Sequence, residues 1–343
     1  MAATQKIIVL RFSAMGDVAM VASVLKEFTA AHPGVELVMV SRAAFKPFFD
    51  RIPNLIFHAI EPKTIHKGIN GLYKLFQELR GYKPVAIADL HDNLRSRTIS
   101  TFFRLAGTTI KRIDKGRAEK KALTRATNKV FKPLKQTVER YADVFRELGF
   151  TLKLSQQINK SAQLIPTKAQ ILFTNNATKK IGISPFAQHM YKVYDLAKME
   201  KVVASLSNQG YQLFIFGGGK TEQAIAEEWA KKHINTHNLI GNYSLTEELA
   251  IISNLDLMLS MDSSGMHMAS LVGVPVVSIW GPTHPYAGFL GYGQLERDCI
   301  QIDHPARPNS IYGNKPCLCG VENCIDLIEP ETIVNKIKEK LNG

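Results

Sequence analysis

The feature that most constrains this chain is a strand–helix alternation that runs, stops and starts again. Residues 6–12 (KIIVLRF), 35–41 (VELVMVS), 56–60 (IFHAI) and 85–91 (VAIADLH) are short apolar runs that read as buried strands. Between them, residues 18–31, 71–80 and 94–105 carry apolar side chains at helical spacing, and a helical stretch near Phe45 is interrupted by Pro47. Strands that are apolar on both sides need helices over both faces of a parallel sheet. The rhythm resumes with strands at 180–186, 211–219, 255–260 and 274–279, and helices are expected over 196–207, 221–232, 264–272 and 330–341. A polar stretch, 155–179, which includes QQINKSAQ and NNATKK, lies between the halves. The expectation is therefore two Rossmann-like, doubly wound α/β domains, 1–165 and 166–328, facing one another across a cleft. A terminal helix is set off at 329–343. The length, 343 residues, suits two domains of ~150 residues. In such sheets ligands bind outside the carboxyl ends of the strands.

Composition narrows the function classes. No apolar run approaches the ~20 residues of a bilayer span. The first twelve residues lack a charged region ahead of a long apolar one, so no signal peptide is expected and the chain reads as cytoplasmic. Four cysteines argue against a disulfide scaffold. The net charge is +13, concentrated between residues 104 and 140, where 12 Lys/Arg face three acids. Such a field attracts polyanions: nucleic acid, phosphorylated substrates or an anionic membrane surface. The plain alternative is a solvated, solubilising surface.

Three strand ends carry candidate chemistry. Arg11-Phe12-Ser13-Ala14-Met15-Gly16-Asp17 sits where the first strand becomes the first helix. Small residues there admit a ligand to the backbone and to free helical N–H groups, although an acid near a helix start is also an ordinary cap. Phe216-Gly217-Gly218-Gly219 runs from a strand into a helix that opens with Glu222. An acid so placed can bind a ribose diol or simply favour the first turn. Asp262-Ser263-Ser264-Gly265-Met266-His267, followed by GVPVVSIWGPT (273–283), is the most specific block. Its small polar turn at a helix start makes a diphosphate cradle. Lys192 follows another strand and could add a point charge for phosphate. Cys317, Cys319 and Cys324 are spaced C-x-C-x₄-C, unlike the paired C-x₂-C of structural zinc sites, with Cys299 the remaining candidate for a fourth ligand.

Together S-x-M-G-D, the mid-chain K-x-aromatic, a D-S/T-G-x-x-H-x-A element that here carries an extra Ser (Asp262-Ser263-Ser264-Gly265), and G-V-P-V-V-x-aromatic-G-P-T resemble glycosyltransferase family 9, the lipopolysaccharide heptosyltransferases. The resemblance covers most of the chain. It implies a GT-B fold, with the C-terminal helix, 329–343, packing back toward the first domain, and an inverting, metal-independent transfer, with no cofactor beyond an ADP-sugar substrate of the ADP-heptose type. The acceptor would be an inner-core oligosaccharide on lipid A, a Kdo-type phosphorylated molecule, met by peripheral contact with the anionic inner membrane. The general base would be Asp17. Donor contacts would come from Lys192, Gly217, Gly218, Glu222, Asp262, Ser263, Ser264, Gly265 and His267. Acceptor contacts would come from Ser13, Met15, Gly16, Asp92, Arg95 and Arg97. Tyr194 stands two residues after the lysine, where the family carries tryptophan, and could keep an aromatic role. The competing readings are a nucleotide-sugar epimerase on the same fold, which would need no acceptor, and a nucleic-acid-binding protein. The second is disfavoured because aromatic residues do not interleave with the basic ones.

Overall fold

The computed structural model describes residues 5–174 and 178–342. The first four residues, and Asn175 to Ala177 of the polar stretch, lie outside the described residues. The chain divides into two units, one of residues 1–115 and 136–155, the other of 116–135 and 156–343.

The first unit is a five-stranded parallel sheet. Its strands are β1 (Gln5–Leu10), β2 (Val35–Ser41), β3 (Leu55–Ala59), β4 (Ala86–Asp89) and β5 (Thr109–Arg112), in spatial order β3-β2-β1-β4-β5. Helices α1 (Met15–Ala31), α2 (Gly68–Arg80) and α3 (Leu94–Leu105) connect them. After β5 the chain enters the second unit for α4 (Arg117–Leu123) and returns for α5 (Thr137–Glu147), an amphipathic helix whose Val138, Tyr141, Val144 and Phe145 are buried. That excursion carries no boundary signal in the sequence, because its composition is the same basic, polar mixture on either side. The segment near Phe45 is a short 3₁₀ helix, Ala43–Phe48, that ends one residue after Pro47, which has no N–H to continue it. Helix α1 begins three residues before the expected position, so Met15, Gly16 and Asp17 form its first turn rather than a loop.

The second unit is a six-stranded parallel sheet of β6 (Lys180–Ser184), β7 (Gln212–Ile215), β8 (Thr236–Asn238), β9 (Leu257–Met261), β10 (Val276–Ile279) and β11 (Cys299–Ile300), ordered β11-β10-β9-β6-β7-β8. Its helices are α6 (Leu196–Asn208), α7 (Lys220–Lys232), α8 (Leu245–Ser253), α9 (Ser264–Leu271) and α10 (Pro330–Asn342). Each sheet reverses its direction of growth once, between β1 and β4 and between β6 and β9. Those are the switch points where a doubly wound sheet opens a crevice. The C-terminal helix buries Ile333, Val334 and Ile337 in the second unit's core beside Met199 and Val203 of α6. Its apolar stripe is complementary to that core.

Candidate active site

In the first unit the switch point is closed by hydrogen bonds between the ends of β1 and β4. Arg11 Nη1 donates to the Leu90 carbonyl at 2.9 Å, and the Phe12 N–H donates to His91 Nδ1 at 3.1 Å. The other terminal nitrogen of Arg11 pairs with Asp17 Oδ2 at 2.5 Å. The Ala14 N–H donates to the same oxygen at 3.3 Å, and the Tyr141 hydroxyl approaches Oδ1 at 3.5 Å. Asp17 is thus both a helix-start acceptor and an ion-pair partner, with its side chain one-quarter exposed. The Ser13–Ala14 peptide is cis. Burial, reinforced by the Arg11 and Lys115 charges, pushes His91 down to about 3, so its ring is neutral and fit to accept from Phe12.

Asp92 occupies the left-handed region at φ 50°, and its carboxylate takes Arg97 Nε at 2.7 Å. Asp89, fully buried, accepts from the His91 and Asp92 N–H groups and from Arg112 Nε at 2.9 Å. The turn that carries Asp92 and Arg97 is therefore fixed by a buried carboxylate. Arg95 is exposed on α3, and Ser13, Met15 and Gly16 are half-buried.

In the second unit, Lys192 follows β6 and Asp262 follows β9, one on each side of the switch point. Lys192 Nζ lies 2.8 Å from Asp262 Oδ2, and the Thr283 hydroxyl donates to the same oxygen at 2.8 Å. Gly265 in the first turn of α9 packs so closely that a Cβ there would lie 2.4 Å from Ser184 Oγ. This brings the amino end of α9 against the end of β6. Ser263 precedes the helix in extended backbone, its hydroxyl 3.4 Å from that of Ser260, and His267 is buried one turn further on. Glu222 is engaged separately, accepting from the Gly218 N–H at 2.7 Å. A Cβ on Gly217 would meet that carboxylate at 2.7 Å.

Three sequence expectations need correction. Tyr194 is wholly buried, its hydroxyl donating to the Ile328 carbonyl at 2.6 Å, so it is a core residue rather than an aromatic face for a ligand. Cys319 and Cys324 are joined as a disulfide. Cys299 is not grouped with the other cysteines; it contacts Ser278 in the sheet. The basic stretch is not all open surface. Arg140 is buried against Asp114, Lys120 stacks over Phe289, and Arg112 is spent on Asp89. Sequence reasoning passed over His91, Tyr141 and Thr283 as site neighbours. The only available signal was their position at strand ends or on an amphipathic helix.

The family model for glycosyltransferase family 9 (heptosyltransferase) matches residues 72–308. The chain is 26% identical over 304 residues to lipooligosaccharide heptosyltransferase 2 of Haemophilus influenzae, covering 81% of this chain and 84% of that one. It is 25% identical over 173 residues to the same-named protein of Campylobacter jejuni, where the match spans about half of the relative, 53%. Among solved structures, a family 9 glycosyl transferase from Veillonella parvula superposes with a TM-score of 0.76 at 18% identity over 99% of this chain and 98% of that one. The Escherichia coli heptosyltransferase WaaC with ADP gives 0.68 at 16% identity, over 98% and 100%. These neighbours share the GT-B class of fold. With a family match across more than two thirds of its length, the chain belongs to glycosyltransferase family 9.

Proposed function

We propose that this chain is an inverting, metal-independent heptosyltransferase that moves a heptose from an ADP-sugar to an inner-core lipopolysaccharide acceptor. The observation that carries the reading is the Lys192–Asp262 pair over the amino end of α9. A leaving diphosphate gains charge as the glycosidic bond to it breaks. A cationic amine and the unpaired N–H groups of a helix start are the groups that stabilise that charge without a metal. Asp262, itself held by the Thr283 hydroxyl, keeps the amine in place until phosphate arrives. Glu222, fixed on the Gly218 N–H, is the ribose-binding acid, and Gly218, with open space beside its Cα, leaves room for the nucleoside.

In the first unit Asp17 is the general base. It takes the proton of the acceptor hydroxyl as that oxygen attacks the anomeric carbon. The ion pair with Arg11 holds the carboxylate in its orientation. Asp92, Arg95 and Arg97 stand on the neighbouring strand end as contacts for a phosphorylated, Kdo-type acceptor. Exposed Arg125 and Lys132, beside exposed Val130 and Phe131, support peripheral contact with an anionic membrane.

The test is nucleotide release. ADP should appear only when both ADP-heptose and a heptose-deficient lipopolysaccharide are supplied, and leaving Mg²⁺ and Mn²⁺ out of the buffer should not change the rate. The new glycosidic bond should have the anomeric configuration opposite to the donor's by NMR. Release of ADP at an equal rate without acceptor, or conversion of the donor alone, would overturn the proposal.

A further inference from the structure

A second cluster of reactive side chains lies in the second unit, apart from the residues assigned above. Cys317, Cys319 and Cys324 come together on a small hairpin, β12 (Leu318–Cys319) and β13 (Glu322–Asn323). Gly320 at φ 80° makes the turn, and the Cys324 N–H closes the loop on the Cys317 carbonyl at 2.8 Å. A separate segment brings His304 to the same place. Ligating atoms of His304, Cys319 and Cys324 all lie within 4.8 Å of one another. Cys317, 2% exposed, has its sulfur 3.5 Å from that of Cys324 and also faces the Ala306 carbonyl at 3.7 Å.

The Cys319–Cys324 disulfide accounts for two of these four groups and for neither of the others. A contact of 3.5 Å is far longer than a disulfide bond of ~2.05 Å. It is close to the edge of a tetrahedron of thiolates around a zinc-sized ion, about 3.8 Å for metal–sulfur bonds of ~2.3 Å. Charge points the same way. Arg307, 3% exposed, donates to the carbonyls of Gly281, Trp280, Ile302 and Thr283 and to the Gln301 side-chain oxygen, all neutral. Lys129 Nζ donates to the Pro305 and Arg307 carbonyls at 2.7 and 2.9 Å. Among the described residues no carboxylate makes an ion pair with either cation; the charges that reach the buried Arg307 are those of Cys317 and Asp303, and a buried cation favours an anion beside it. Three thiolates and one imidazole around a divalent ion carry one net negative charge, which these cations offset.

We propose that Cys317, Cys319, Cys324 and His304 form a structural site for a thiophilic divalent cation of the zinc type. The site is competent when the Cys319–Cys324 bond is reduced. A dithiol gives two electrons and two protons to that bond and becomes its own disulfide; a phosphine gives the two electrons, water gives the two protons and the oxygen, and the phosphine leaves as its oxide. The cation then displaces protons from the three thiols and takes the neutral imidazole as fourth ligand, displacing the Ala306 N–H that now donates to His304 Nδ1 at 3.2 Å. The ion ties the hairpin to the segment from His304 onward. That segment includes Gly313, whose missing Cβ makes room for the Lys192 side chain.

The test uses the full chain, reduced with a phosphine, freed of excess reductant without oxygen, and titrated with Zn²⁺ or Co²⁺ alone. One equivalent should bind with submicromolar affinity. The cobalt form should show the visible bands of a tetrahedral site and a near-ultraviolet thiolate charge-transfer band. Cys317→Ser should lose at least tenfold in affinity and about a third of the charge-transfer intensity, two thiolates replacing three. His304→Ala, at a half-exposed position that tolerates truncation, should shift the visible bands, while Cys299→Ser should change nothing. Absence of a tetrahedral cobalt spectrum from the folded, reduced chain would overturn the proposal. So would stoichiometric binding that survives both Cys317→Ser and His304→Ala unaltered.

Discussion

The ammonium of Lys192 and the carboxylate of Asp262 meet at 2.8 Å across the switch point of the second sheet, with side chains 15% and 7% exposed. The two residues are 70 positions apart in sequence and are brought together because β6 and β9 are hydrogen-bonded neighbours. A lysine held this way is pre-oriented, so an incoming diphosphate meets an ordered cation rather than a mobile one.

Lys192→Ala should weaken ADP binding by about tenfold or more, the scale of one hydrogen bond to a charged group. Calorimetry reads this directly. Affinity equal to that of the unaltered chain would remove Lys192 from the donor site.

Asp17→Asn should leave ADP affinity nearly unchanged and lower turnover by at least ~100-fold, the scale of a lost general base. The amide still accepts the Ala14 N–H, so thermal unfolding serves as the control for structure. Retained turnover would exclude Asp17 as the base.

Gly265→Ala should destabilise the second unit by roughly 1–3 kcal/mol, the usual cost of overpacking, because its Cβ would be driven against Ser184. The same displacement of α9 should weaken ADP binding. A variant with unchanged melting temperature and unchanged ADP affinity would show that the helix start does not depend on that close approach.

Acid should destabilise the fold before it protonates the two buried imidazoles. His91 is held down to about 3 and His284 to about 4, both chiefly by burial. Their folded values lie below the ordinary 6.5, so the unfolded chain takes up protons first. Stability is fully present above about 6.5 and is lost as pH falls toward 4, by at most about 1.4 kcal/mol per pH unit for each histidine. Denaturant midpoints measured between pH 7 and 4 check this. His91→Gln keeps an acceptor for Phe12 and should flatten the slope; an unchanged slope would show that His91 does not drive it.

Much of this architecture was legible in the order of residues. Apolar runs of strand length, broken by helical patterns, fix two parallel sheets, since such strands leave no polar face to expose. The small-residue turns after β1, β7 and β9 announce strand ends that ligands can approach, and Asp17, Glu222 and Asp262 are acids at those turns. What the order of residues could not carry was which separated ends become neighbours. Thr283 bonds the Asp262 carboxylate that holds Lys192, Tyr141 reaches Asp17, and His304 meets Cys319 and Cys324 only after the chain has crossed the sheet or doubled back. Those meetings depend on strand order and long-range packing. The excursion of residues 116–135 into the second unit and the docking of α10 on α6 are of the same kind. Local propensity sets where an element begins and which face is apolar. Only the competition among apolar faces for burial decides what each face meets.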